Sequence, residues 1–123
     1  MNKEFVSYEQ ALALKELGFD ELCFGYWKSK NWLIQEKTRT DGYTHADQEC
    51  SAPLYQQAFR WFREKYGLYH SIGLDNSLEN DVNCDYQIIN HSQSISEFET
   101  DFKTYEEAEL ECLKKLIEIV KNK

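Results

Sequence analysis

Five residues with side chains suited to a transition metal could converge on one: His45, Cys50, His70, Cys84 and His91. Structural zinc sites bring such ligands in closely spaced Cys or His pairs. The chain has no Cys-x-x-Cys and no His-x-x-x-His. No metal is therefore expected. Asp75, Ser77, Glu79 and Asp81 alternate like part of a calcium loop. Asn80 stands where the sharp turn needs Gly, and Tyr86 stands where the bidentate Glu belongs. The EF-hand pattern fails, and a solvated acidic loop is the expected reading. A catalytic Ser or Cys needs an oriented base beside it. The chain has no Gly-x-Ser-x-Gly, and Cys23 and Cys112 fall on apolar patterns, as core thiols do. The glycines are isolated, so no loop is built to cradle phosphate and no cofactor is expected. Arg60, Arg63 and Lys65 lie beside Trp61 and Tyr66. Base stacking would need those rings exposed, but they sit on the apolar stripe of a helix. Direct nucleic-acid binding is not expected.

Charge and size point elsewhere. The net charge of −8 is unevenly spread. Residues 75–111 hold eleven acids against Lys103 alone, whereas residues 112–123 carry four lysines against Glu118. A net negative field opposes attraction to a phosphate backbone. At 123 residues, 41% of them hydrophobic, with seven Phe, eight Tyr and three Trp, the expectation is one domain, residues 1–123, with a real core. No apolar run reaches membrane-spanning length and the start does not read as a signal peptide, so the expected location is the cytoplasm, with no membrane partner. The four cysteines are expected as free thiols.

The elements that must position these residues follow the hydrophobic pattern. Ser7 and Gln10 have capping-box spacing before a helix that Gly18 closes. Leu22–Trp27 and Trp32–Glu36 read as two strands around a polar turn. Residues 37–50 read as a loop, with a turn at Asp41-Gly42. Pro53 opens a second helix with Leu54, Ala58, Trp61 and Phe62 on one stripe, and Gly67 ends it. Leu68–Gly73 and Cys84–Ile89 read as two further strands around an acidic loop at 75–85. Residues 90–103 fit either a short helix, through Phe98 and Phe102, or a strand end. Thr104 and Glu107 cap a last helix from about Tyr105 to Lys121. Its apolar rows, Tyr105-Ala108-Cys112-Leu116-Ile119 and Leu110-Leu113-Ile117-Val120, cover more than half its circumference. Such a helix is either deeply embedded or partly covered by a second subunit. The expected fold is α+β: three helices on a small antiparallel sheet, in the order helix, strand, strand, helix, strand, strand, helix.

Three stretches carry a likeness: Tyr8–Asp20 with Cys23–Tyr26, then Ala52–Tyr69, then Thr104–Val120. A Gly-Phe-Asp step before an aromatic hairpin, an Ala-Pro helix with Trp61, Phe62, Arg63 and Glu64 at its core, and a Tyr-Glu-Glu-Ala helix at the end resemble a group of small uncharacterised proteins of phages and prophages of gut bacteria. The resemblance implies a shared fold and a mobile-element origin, and it implies no chemistry.

Three functional expectations remain. The first is a non-enzymatic accessory protein of a phage or mobile element, working through protein contacts and forming a homodimer through Leu110, Leu113, Ile117 and Val120 of the last helix. The second is an acidic decoy of a nucleic-acid-binding protein, with Asp75, Glu79, Asp81, Asp85, Glu97, Glu99 and Asp101 on one surface. The third is a small enzyme whose dispersed residues converge around His45 or His70. The sequence names no partner.

Overall fold

A computed structural model describes residues 4–21, 23–34, 50–78, 81–90, 92 and 95–122. The fold is α+β, with three helices and two three-stranded antiparallel sheets among the described residues. In chain order these are α1 (Tyr8–Glu16), β1 (Tyr26–Ser29), β2 (Trp32–Ile34), β3 (Cys50–Ser51), α2 (Tyr55–Tyr66), β4 (Tyr69–Leu78), β5 (Asp81–Asn90), β6 (Ile95–Phe102) and α3 (Tyr105–Lys121). The chain divides into two compact units, Met1–Ala58 and Phe59–Lys123, with the boundary inside α2.

The first unit is built around Trp27. Its indole Nε1 donates to the Val6 carbonyl at 2.9 Å, and the Tyr8 ring meets it edge-on at 6.2 Å. The Val6 amide in turn donates to the Pro53 carbonyl, beside a bridge between Phe5 and Leu54. The sheet runs β2-β1-β3, and α1 packs with Ala11 and Leu14 buried. Gly18 takes a φ of 101°, which side chains other than glycine rarely adopt. With it in place the Phe19 amide reaches back to the Leu14 carbonyl, the closure expected at that glycine. The Ser7 side chain, by contrast, makes no capping hydrogen bond. The expected strand at 22–27 is displaced to 26–29. Aromatic composition marks a surface to be covered. The ladder starts only where Tyr26 meets Ile34 and Ser51 together. Cys50–Ser51 also forms a short strand at the end of a stretch expected to be loop. The turn expected at Asp41-Gly42, and Glu36, lie outside the described residues.

The second unit holds one sheet, in the order β4-β5-β6. One expectation changes here, and one open alternative is decided. Residues 75–85 are not all loop: β4 runs to Leu78 and β5 begins at Asp81. Polar residues there pair across the hairpin, because ladder hydrogen bonds reward the backbone whatever side chains it carries. Residues 95–102 form a strand, not a helix. Phe98 and Phe102 sit at helical spacing, yet they lie on opposite faces. A bulge between Glu99 and Phe102 inserts one residue against β5 and resets the alternation. Asp101 occupies it with a φ of 74°. Phe102 then stacks on Tyr86, their ring centroids 5.8 Å apart.

Of the expected stripe at the start of and along α2, Ala58, Trp61 and Phe62 are buried and Leu54 is half-buried, and the flanking Tyr55 and Phe59 are buried beside them. The helix ends as Gly67 turns left-handed at φ 69°. The buried Asn90 side chain then donates to the Tyr66 carbonyl at 3.1 Å, tying the end of β5 to the end of α2. Thr104 caps α3 by accepting from the Glu107 amide at 3.0 Å, as its spacing predicts.

Candidate functional site

The strand register sorts the second sheet into two unlike faces. Residues directly opposite in an antiparallel pair share a face. On one face His70, Ile72 and Leu74 of β4 pair with Ile88, Tyr86 and Cys84 of β5, and these pair with Glu97, Glu99 and Phe102 of β6. Cys84, Tyr86, Ile88 and Asn90 are all buried on this side. From α3, Ala108, Cys112, Leu113, Leu116 and Ile117 are buried too. The ring of Phe59 on α2 stacks on His70 at 3.9 Å.

The other face carries Tyr69, Ser71 and Gly73 of β4, Asn83, Asp85, Gln87 and Ile89 of β5, and Ser96 and Phe98 of β6. Tyr69 is 56% exposed and Phe98 58% exposed. Two aromatic rings thus stand on an open face, flanking Gln87 and Ile89. The sequence carried half of this signal. The alternation in Leu68–Gly73 implies an outward row, but Phe98 faces outward through its register with Gln87, which no local stretch of chain specifies.

The expected site residues fall as follows. Leu113 and Ile117 are buried and Leu110 and Val120 half-buried, so both apolar rows of α3 contribute to embedding it. Of the acids, Glu97 and Glu99 lie on the helix side of β6, where Lys115 comes to 3.8 Å of Glu97 and the Tyr86 hydroxyl donates to Glu99 at 3.0 Å. Asp85 lies on the open face opposite Gly73, and Asp101 sits in the bulge. The strands place Asp75 near the end of β4 and Asp81 at the start of β5. Glu79 lies outside the described residues, as do His45 and His91.

Burial shifts a few of the described titratable groups. Burial, assisted by Arg63, lowers His70 to about 4, so this imidazole is neutral near pH 7. Burial first and the Glu21 carboxylate second push the Cys23 thiol up to about 12. Burial pushes Cys50 up to about 11 and, with Glu109, Cys112 up to about 12. Thiols so raised are poor nucleophiles. The Tyr86 hydroxyl is also raised, by burial and by its bond to Glu99. Glu109 on α3 rises to about 7, through burial and the nearby Glu106. Among the described residues no three His, Cys, Asp or Glu side chains gather as a metal site would require. Trp61 is buried and so offers no ring for base stacking. Among the described residues no helix is long and apolar enough to cross a membrane. No protein family, curated protein or solved structure matches the chain.

Proposed function

We propose that this chain is a non-enzymatic accessory protein of a phage or mobile element and acts through protein contacts. One observation carries the reading: the second sheet buries one face under helices and leaves Tyr69 and Phe98 standing on the other. Large rings held on a rigid sheet contribute contact area at small entropic cost, and such rings anchor interfaces. The neighbouring Ser71, Gln87 and Ser96 are uncharged hydrogen-bonding groups, with the Asp85 carboxylate further along the same face, which suits the polar surround of an interface. The chemistry a hydrolase or transferase would need finds no support in thiols pushed up to about 11 or 12 and an imidazole lowered to about 4. The mobile-element setting rests on the resemblance of the three stretches alone.

The reading is tested with a photo-crosslinking amino acid placed at Phe98, and at exposed Glu118 on α3 as a control, in the producing cell. A protein captured through position 98 and not through 118 is the expected result. Equal capture from both positions, or none from 98, defeats it.

A further inference from the structure

The open face of the second sheet also carries a charge signature, and we propose that the protein segment it docks is basic, seating an arginine between Phe98 and Asp85. This rests on the contact-surface reading above and names the chemistry of the partner.

Strands β4, β5 and β6 together hold six Asp or Glu and no Lys or Arg. Two of the six are engaged on the helix side, Glu97 near Lys115 and Glu99 by the Tyr86 hydroxyl. Asp85 is placed differently. Its register puts it on the open face, one row along from Gln87 and Phe98. Its neighbour on β4 is Gly73, which has no side chain to cover it. A carboxylate oxygen of Asp85 stands 3.5 Å from the point where a Gly73 Cβ would be. On its other side lies the β6 bulge, which places Asp101 opposite it. Like charges opposed across two strands destabilise a sheet. Among the described residues no Lys or Arg pairs with either carboxylate. The sheet thus holds an uncompensated pair of acids beside an exposed ring, and a bound cation relieves the repulsion.

The ring selects the cation. Phe98 and Asp85 are diagonal cross-strand neighbours, which sets them about 7–8 Å apart. A guanidinium spans that gap. Being planar, it lies over the Phe98 ring while its fork of N–H groups meets the carboxylate. An ammonium is a point charge and serves one of the two at a time. Phe98 is 58% exposed, so its ring is there to be covered. In the other direction from Phe98 stand Ile89 and Tyr69, which suit an apolar side chain of the same segment. Other occupants are disfavoured by charge. A net −8 repels phosphate, and a second copy brings the same acids.

The test selects displayed random heptapeptides on the purified full chain. Peptides enriched in arginine are expected. Their affinity is expected to fall at least about tenfold on Asp85→Asn, because a charge-assisted pair is lost. Phe98→Ser removes the stacking surface and lowers affinity at least about threefold. Glu118→Gln, at an exposed acid on α3, leaves it unchanged. Urea unfolding checks that each variant is folded. Peptides without arginine enrichment overturn the inference, as does recovery of none. So do arginine peptides that bind Asp85→Asn as tightly as the natural chain, or that Glu118→Gln weakens equally, because the attraction is then the general field of the molecule. Sedimentation covers one more occupant: a dimer that Phe98→Ser dissolves puts a second copy on this face and also overturns the inference. The capture experiment at position 98 is read separately. A protein captured there through a segment lacking arginine defeats this inference and leaves the functional reading standing. Arginine peptides that need Asp85, with nothing captured at 98 in the cell, do the reverse.

Discussion

The two faces of the β4-β5-β6 sheet share one backbone and serve opposite ends. On the helix side, β5 contributes Cys84, Tyr86, Ile88 and Asn90, all buried, and α3 contributes five buried residues. On the open side, the intervening Asn83, Asp85, Gln87 and Ile89 are half-buried at the strand centre, and the outer strands hold Tyr69 and Phe98 out to solvent. The difference teaches where this unit's stability resides. It comes from the apolar area that the helices remove from water on one side. The other side is free to vary without cost to the fold, which is the condition a contact surface needs.

The sharpest test of that division is Ile88→Ala. Ile88 is fully buried between Tyr86 and Asn90 on the helix side, so its truncation leaves a cavity. A loss of about 2–5 kcal/mol is expected in urea unfolding. A loss below 1 kcal/mol would mean that the helix side does not hold the unit together.

A smaller effect of opposite sign is expected at Glu109, the one strained charge found along α3. Its folded pKa, about 7, lies above the ordinary 4.5 because burial and Glu106 disfavour its charge. The folded state therefore holds this proton more tightly than the unfolded chain does. Its contribution is present below about pH 4.5 and is lost as pH rises through about 7. Glu109→Gln removes the penalty of the buried charge. Stabilisation on the order of 1 kcal/mol at pH 8, vanishing near pH 4.5, is expected from unfolding curves at the two pH values. Equal effects at both would show that charge is not the cause. His70 runs the other way. Its pKa, lowered to about 4, makes the unfolded chain the better proton binder between about 4 and 6.5, so stability falls as pH drops through that window.

The smallest effect belongs to the open face. Phe98→Ser exchanges an exposed ring for a small polar group, and a change within about 0.5 kcal/mol is expected in the same unfolding assay. A loss approaching that of Ile88→Ala would erase the contrast between the faces.

Much of the fold was legible because it depends on local pattern. The capping of α3 by Thr104, the left-handed closures at Gly18 and Gly67, and the apolar stripe of α2 are properties of residues within one or two turns of each other. So is the alternation that placed Tyr86 and Ile88 on one face of β5. The strand at 95–102 was not legible, because Phe98 and Phe102 satisfy a helical period as well as a bulged strand does. The length of the β4-β5 hairpin was missed for a related reason. Its polar outer half is held by backbone pairing, to which side-chain hydropathy is blind.

What the sequence determined by itself was the class of the protein: α+β, acidic, with a buried aromatic stripe and a capped final helix. It could do so because caps and periodicities act over a few residues. Tertiary structure decided which acids find partners, as Glu97 does near Lys115 and Glu99 does under Tyr86, and which aromatics stay outside. Those outcomes turn on register and on one inserted residue at Asp101. Register is set by pairing between distant segments, and no local stretch of chain contains it.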